Sequence, residues 1–225
     1  MCFSATASFA VAATLLPVGV YCVRAARLIG FRWLPFALYP IAFSIQQAIE
    51  GILWLGINLD DQSIVTVASR GFVFFSHFFW LAWVPFSVYA LERDLWRRRL
   101  LAALTGIGIL SGLSISLPLL ISTDWLSIVL VQGSLEYKTV LIYDDFISRN
   151  VLRGLYTLLI VSSLFLSTHQ RIRLFGGLIL ASLLIAEHFF AYALISVWCF
   201  LAAVLSTYIL SIVLNERRAQ TVQVS

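Results

Sequence analysis

The sequence predicts an all-α membrane protein: a seven-transmembrane-helix bundle with its N-terminus outside and its C-terminus in the cytoplasm. Three observations predict it. Of 225 residues, 61% are hydrophobic and 12% charged, against roughly 45–50% and ~25% in a soluble domain. So few charges could not cover a water-soluble globule of this size. The mean hydropathy of +0.96 agrees. Apolar residues also gather into runs of about 20, the length that crosses a hydrocarbon core. Finally, the cations crowd into alternate connections, which is the signature of cytoplasmic loops.

Marked by these runs and the charges bounding them, the spans are Ser4 to Val23, Leu34 to Leu55, Phe72 to Leu91, Leu100 to Ile121, Val151 to Thr168, Leu174 to Ala193 and Val197 to Leu214. The last two are nearly continuous. One straight helix of that length would rise ~60 Å, twice the hydrocarbon thickness, so a tight turn between two spans is expected. The first run lacks a basic leader, and its positive charges follow it. It therefore reads as a span rather than a signal peptide.

Orientation follows from Arg and Lys. With the N-terminus outside, the inner side holds Arg24, Arg27, Arg32, Arg93, Arg97, Arg98, Arg99, Arg171, Arg173, Arg217 and Arg218, and the outer side only Arg70, Lys138, Arg149 and Arg153. The excess fits cytoplasmic flanks rather than a nucleic-acid footprint. Residues 1–225 are expected to form a single transmembrane helical domain.

The one long connection, 122–150, is expected outside as a loop or lid. Ser127 to Gln132 and Leu135 to Leu141 flank Gly133-Ser134, which fits a β-hairpin with Gly at the first central turn position. An amphipathic interfacial segment is the alternative. Gly108, Gly112 and Ser116 form a small-residue stripe for close helix packing. Pro40 and Pro85 should begin or kink their helices.

Chemistry is sought among ionisable groups inside the spans, because each is costly in hydrocarbon and faces the bundle interior by default. These are Glu50, His77, Glu187 and His188. Counted from the span ends, all fall in the outer half of the bilayer, with Cys199 near the start of the last span and Cys2 before the first. Carboxylate, imidazole and thiolate from different helices are ligands for zinc, copper or iron. The expected metal set is thus Glu50, His77, His188 and Glu187, with Cys2 and Cys199 as outer donors. A Cys2 to Cys199 bridge is also conceivable. Adjacent Glu187 and His188 diverge by about 100° on a helix, so only one should face the centre. Gln46, Glu50 and Trp54 recur every four residues and share a stripe, an amide and an indole flanking the carboxylate. The alternative is a protonated Glu50 bonded to a neighbouring Gln or Ser, with both histidines as satisfied core groups.

The opening Met1-Cys2-Phe3-Ser4-Ala5-Thr6-Ala7-Ser8-Phe9, the Gln46, Glu50, Trp54 stripe and Ser196-Val197-Trp198-Cys199-Phe200 resemble a bacterial integral-membrane family of unassigned function. The resemblance covers essentially the whole chain. It implies a multi-span membrane protein whose notable residues are Cys2, Gln46, Glu50, Trp198 and Cys199, and the location expected is the bacterial inner membrane. It supplies no reaction.

Two function classes stand open. One is a metal-dependent enzyme or redox protein, with bis-histidine haem between His77 and His188 as a variant. The other is a carrier, sensor or membrane-complex subunit that binds a small polar ligand or proton at Glu50. Retinal is excluded, because its Schiff base needs a Lys in the last helix and Lys138 lies in a loop. The inner halves of the spans carry no charge, which argues against a continuous polar route across.

Overall fold

The computed structural model describes residues 4–122 and 124–224. About 81% of the described residues are helical, so the class is all-α. Helix α1 (Ala5–Ile29) begins at Ser4, whose hydroxyl accepts the Ala7 N–H at 3.2 Å, and stops at Gly30. The φ of +145° there suits glycine, which has no Cβ to clash. After a 3-10 turn (Phe31–Trp33) and one helical turn, α2 (Leu34–Ala37), helix α3 (Tyr39–Asn58) carries Pro40 in its first turn, where a missing N–H costs nothing.

Helix α4 (Gln62–Val73) is set by Asp61, whose Oδ1 accepts the N–H groups of Ser63 and Ile64 at 2.9 and 3.2 Å. It runs through a π-turn (Phe74–Phe79) into α5 (Trp80–Leu91). A three-residue connection leads to α6 (Leu95–Ile121), where Asp94 accepts the Arg97 N–H at 2.9 Å. Strands β1 (Leu126–Val131) and β2 (Ser134–Thr139) follow, then α7 (Arg149–Phe165) and α8 (Gln170–Phe190). A 3-10 turn (Ala191–Ala193) joins α8 to α9 (Leu194–Leu205), and α10 (Tyr208–Val224) ends the chain.

Among the described residues, five helical runs are long and apolar enough to cross a membrane: Ala5–Ile29, Phe31–Asn58, Gln62–Leu91, Leu95–Ile121 and Gln170–Gln220. Seven separate spans were expected. Helix α7 has 17 residues, just short of the ~20 that span unaided. The last two expected spans share one apolar run of 51 residues. That run is not straight: α8 and α9 pack against each other across the turn at Ala191–Ala193. The third run starts ten residues earlier than hydropathy suggests, because the Asp61 cap begins a polar-faced helix before the apolar stretch.

β1 and β2 pair antiparallel, Val131 opposite Ser134. The central turn residues are Gln132 and Gly133, with φ +49° and +75°. This is the geometry of a type I′ turn, which needs positive φ at both positions. Glycine therefore occupies the second central position, one residue away from the register expected from Gly133-Ser134. Alternation along β2 buries Leu135, Tyr137 and Thr139, and the strand lies against α9 and the turn before it.

The main core gathers around Leu15, Phe36, Tyr39, Trp80, Phe175 and Ile209. α1 packs on α3, allowed by Gly19 against Ile41 and Gly51 against Phe9, and α6 packs on α5 through Gly108 and on the π-turn through Gly112.

Candidate functional site

Glu50 of α3 is fully buried. Ser196 of α9 donates its hydroxyl to Glu50 Oε1 at 2.5 Å, and Gln47 Nε2 donates to Oε2 at 3.1 Å. The carboxyl group thereby ties together two helices 146 residues apart in sequence. On the neighbouring side of α3, Gln46 Oε1 accepts the indole N–H of Trp80 at 2.7 Å. That ring stacks on Phe43, with centroids 3.9 Å apart.

On α3, α9 and β2, the elements that come together near this carboxyl, several buried polar atoms have no hydrogen-bond partner among the described residues. They are Gln46 Nε2, Gln47 Oε1, Trp54 Nε1, Trp198 Nε1 and the Tyr137 hydroxyl. A buried polar atom left unmet costs about 1–3 kcal/mol. Such orphans are few in native proteins, and a concentration of them marks a place where a ligand or ordered water belongs. All but Gln47 Oε1 can donate, so the group is short of acceptors.

Aromatic rings enclose the site. Tyr137 stacks on Phe72 at 4.6 Å and shares an apolar cluster with Trp54 and Cys199. Its phenol is pushed well above the usual range, by burial first and then by the acidic groups of Glu50 and Cys199 close by. Tyr156 of α7 packs edge-on against Trp198 at 5.6 Å and donates to the Ser76 carbonyl in the π-turn at 2.7 Å. A small apolar cavity of about 40 Å³ lies between Trp80, Tyr156, Trp198 and Cys199.

The expected metal set does not converge. Among the described residues, no group of three or more His, Cys, Asp and Glu side chains is placed to hold an ion. Glu187 and His188 are exposed on α8: Glu187 meets Arg153 at 4.0 Å, and His188 lies edge-on to Phe189. His77 sits in the π-turn with Nδ1 2.8 Å from the Ser76 hydroxyl.

The physical reason for His77 is depth. α3 and α4 run antiparallel, with Ile64 beside Gly56 and Ile49 beside Gly71. That register puts Arg70, not His77, level with Glu50. Seven residues further on, His77 lies about 10 Å deeper at 1.5 Å per residue. The depth agreement inferred from hydropathy came from starting the span at Phe72. Haem ligation by His77 and His188 loses its support in the same way, because His188 faces outward. Cys2 lies outside the described residues, and so does any bridge to Cys199.

Of the expected binding residues, Gln46, Glu50, Trp54, Trp198 and Cys199 fall in one neighbourhood. Gln47, Ser196 and Tyr137 had not been assigned roles. Ser196 opens the Ser196-Val197-Trp198-Cys199-Phe200 motif, and the period-2 pattern of β2 was the available signal for Tyr137. Neither a curated protein nor a solved structure matches this sequence. Over residues 1–224 the chain matches the model of a family of unknown function, DUF6629, and it belongs to that family.

Proposed function

We propose that this chain is a seven-crossing protein of the bacterial inner membrane, a single transmembrane domain with its N-terminus outside, that binds a small polar ligand at Glu50. The observation that carries this reading is the buried Glu50 ringed by unmet polar atoms, four of which can donate. The ligand that suits them offers oxygen acceptors to the indoles, the Gln46 amide and the Tyr137 hydroxyl. Glu50 and Gln47 receive its hydrogen or proton. The seven crossings take α7 as a short span and split the last apolar run at Ala191–Ala193. The β1–β2 pair then lies over the outer mouth, which favours entry from outside. A carrier, a sensor and a subunit of a larger membrane complex all use such a pocket, and no group is assigned to a catalytic step.

Two measurements test the reading. Thiol labelling of a Gly133→Cys variant in intact cells with an impermeant reagent should succeed; labelling only after lysis would overturn the orientation. Mass spectrometry of molecules released on denaturing the purified protein should find a small polar compound with the parent and none with Glu50→Gln. That variant should melt within about 1 kcal/mol of the parent, because an amide can still accept from Ser196. Identical release from both proteins, or none from either, would sink the ligand reading. Stoichiometric zinc, copper or iron in the parent, lost in Glu50→Gln and Cys199→Ser, would replace it with a metal centre that uses Cys2.

A further inference from the structure

A second pocket, of about 320 Å³, opens where the end of α3, the start of α4 and β1 meet. Asp60 and Arg70 both line it, with Gln62, Thr66, Ser69 and Ser127. Neither charge is in an ion pair among the described residues. Arg70 Nη2 is buried without a hydrogen-bond partner among the described residues. Arg70 starts about 12 Å along α4 at 1.5 Å per residue, and its long side chain reaches the pocket beside Asp60 and Gln62. An unmet guanidinium is a strong claim on an anion, since Arg pairs with carboxylate or phosphate oxygens through two parallel N–H donors.

The Asp60, Thr66 and Ser69 walls want the opposite charge. The Thr66 hydroxyl spends its proton on the Gln62 carbonyl at 2.8 Å, and the Ser69 hydroxyl spends its own on the Thr66 carbonyl at 3.1 Å. Their remaining lone pairs are acceptors, as is the Asp60 carboxylate. One corner therefore asks for an oxyanion, and the wall of Asp60, Thr66 and Ser69 asks for hydrogen-bond donors with positive charge.

We propose that this pocket binds a small zwitterion, its oxyanion on Arg70 and its ammonium on Asp60. Free amino acids and the phosphoethanolamine headgroup of a lipid share this chemistry. The site is separate from Glu50 and does not depend on the reading given for that residue.

Thermal-shift titration of the purified protein in detergent tests it, with glycine and phosphoethanolamine as zwitterions and acetate, inorganic phosphate and methylammonium as single-charge controls. At least one zwitterion should raise the melting temperature more than any control. Arg70→Gln should weaken that binding about tenfold or more, the loss expected for a charge-assisted hydrogen-bonded pair. Asp60→Asn should weaken it too while leaving the weak acetate response unchanged. Asn tolerates the positive φ of +53° at this position, so this variant carries the test if Arg70→Gln does not fold. A response to glycine identifies a free amino acid, and one to phosphoethanolamine alone identifies a lipid headgroup. No shift with either, equal shifts from acetate or phosphate, or shifts that survive both substitutions would overturn the proposal. Glu50→Gln should leave these titrations unchanged, which separates this pocket from the other.

Discussion

Among the described residues two glutamates are buried, Glu50 inside the bundle and Glu92 just after α5, and their surroundings are opposite. Glu92 follows α5, with 1% of its surface exposed. Its Oε1 accepts the N–H groups of Arg93 and Asp94 at 2.9 and 3.0 Å, and its Oε2 accepts the Thr168 N–H at 2.9 Å. The Thr168 hydroxyl adds a fourth bond at 3.3 Å. One carboxylate thus staples the α5–α6 connection to the α7–α8 connection, and both oxygens are met by groups the backbone holds still. Glu50 has two side-chain donors and a ring of neighbours whose own needs are unmet. A buried acid satisfied by backbone serves the fold; one among unsatisfied side chains is set aside for something else.

The largest effect should come from Glu92→Gln. Its amide turns a donor toward N–H groups that need an acceptor, at a cost of about 3 kcal/mol in unfolding of the solubilised protein. Burial raises the pKa of Glu92, but the N–H donors of Asp94, Thr168 and Arg93 and the Thr168 hydroxyl outweigh it, holding the group below its ordinary value. A carboxylate depressed in the folded state adds stability that is complete above the ordinary range, about pH 4.3, and is lost as pH falls through the lowered value. The parent should therefore lose more stability in that acid window than Glu92→Gln, which keeps only the share of other depressed carboxylates such as Asp144. A flat profile in both proteins would break the contrast.

Next in size is a pair of tyrosines. Tyr137→Phe removes an unmet hydroxyl and should stabilise the empty protein by about 1 kcal/mol, whereas Tyr156→Phe breaks a bond to the Ser76 carbonyl and should cost about as much. Equal changes of the same sign in thermal melts would mean that Tyr137 is satisfied after all. The smallest effect belongs to α8. His188→Ala and Glu187→Ala should each stay within about 0.5 kcal/mol of the parent, as exposed side chains do. A larger loss in either would return these residues to the site.

Much of this contrast is legible in the sequence. Long apolar runs with charges between them announce membrane helices, and four-residue spacing alone joins Gln46, Glu50 and Trp54. What stayed hidden was set by short-range chemistry or by long-range contact. The Asp61 cap starts α4 in a polar stretch that hydropathy reads as loop, and that shift carries His77 away from Glu50. A positive φ at Gln132 moves the strand turn by one residue, because turn geometry overrides the usual preference for glycine there. Ser196 meets Glu50 only because α9 folds back from 146 residues away, and no local pattern encodes that meeting.

Pro85 lacks an N–H, so the Leu81 carbonyl one turn earlier has no helical partner. Gly108 of α6 lies against that oxygen so closely that a Cβ would overlap it. The vacancy made by one residue is the seat of the other, and substitution of either spoils both. With a three-residue connection at one end, α5 and α6 form a fixed frame. Breathing that admits a ligand to Glu50 is then expected from elements outside this frame, among them α9, whose Ser196 holds the carboxyl. Spin labels on α5 and α6 would supply the constant baseline against which that movement is read.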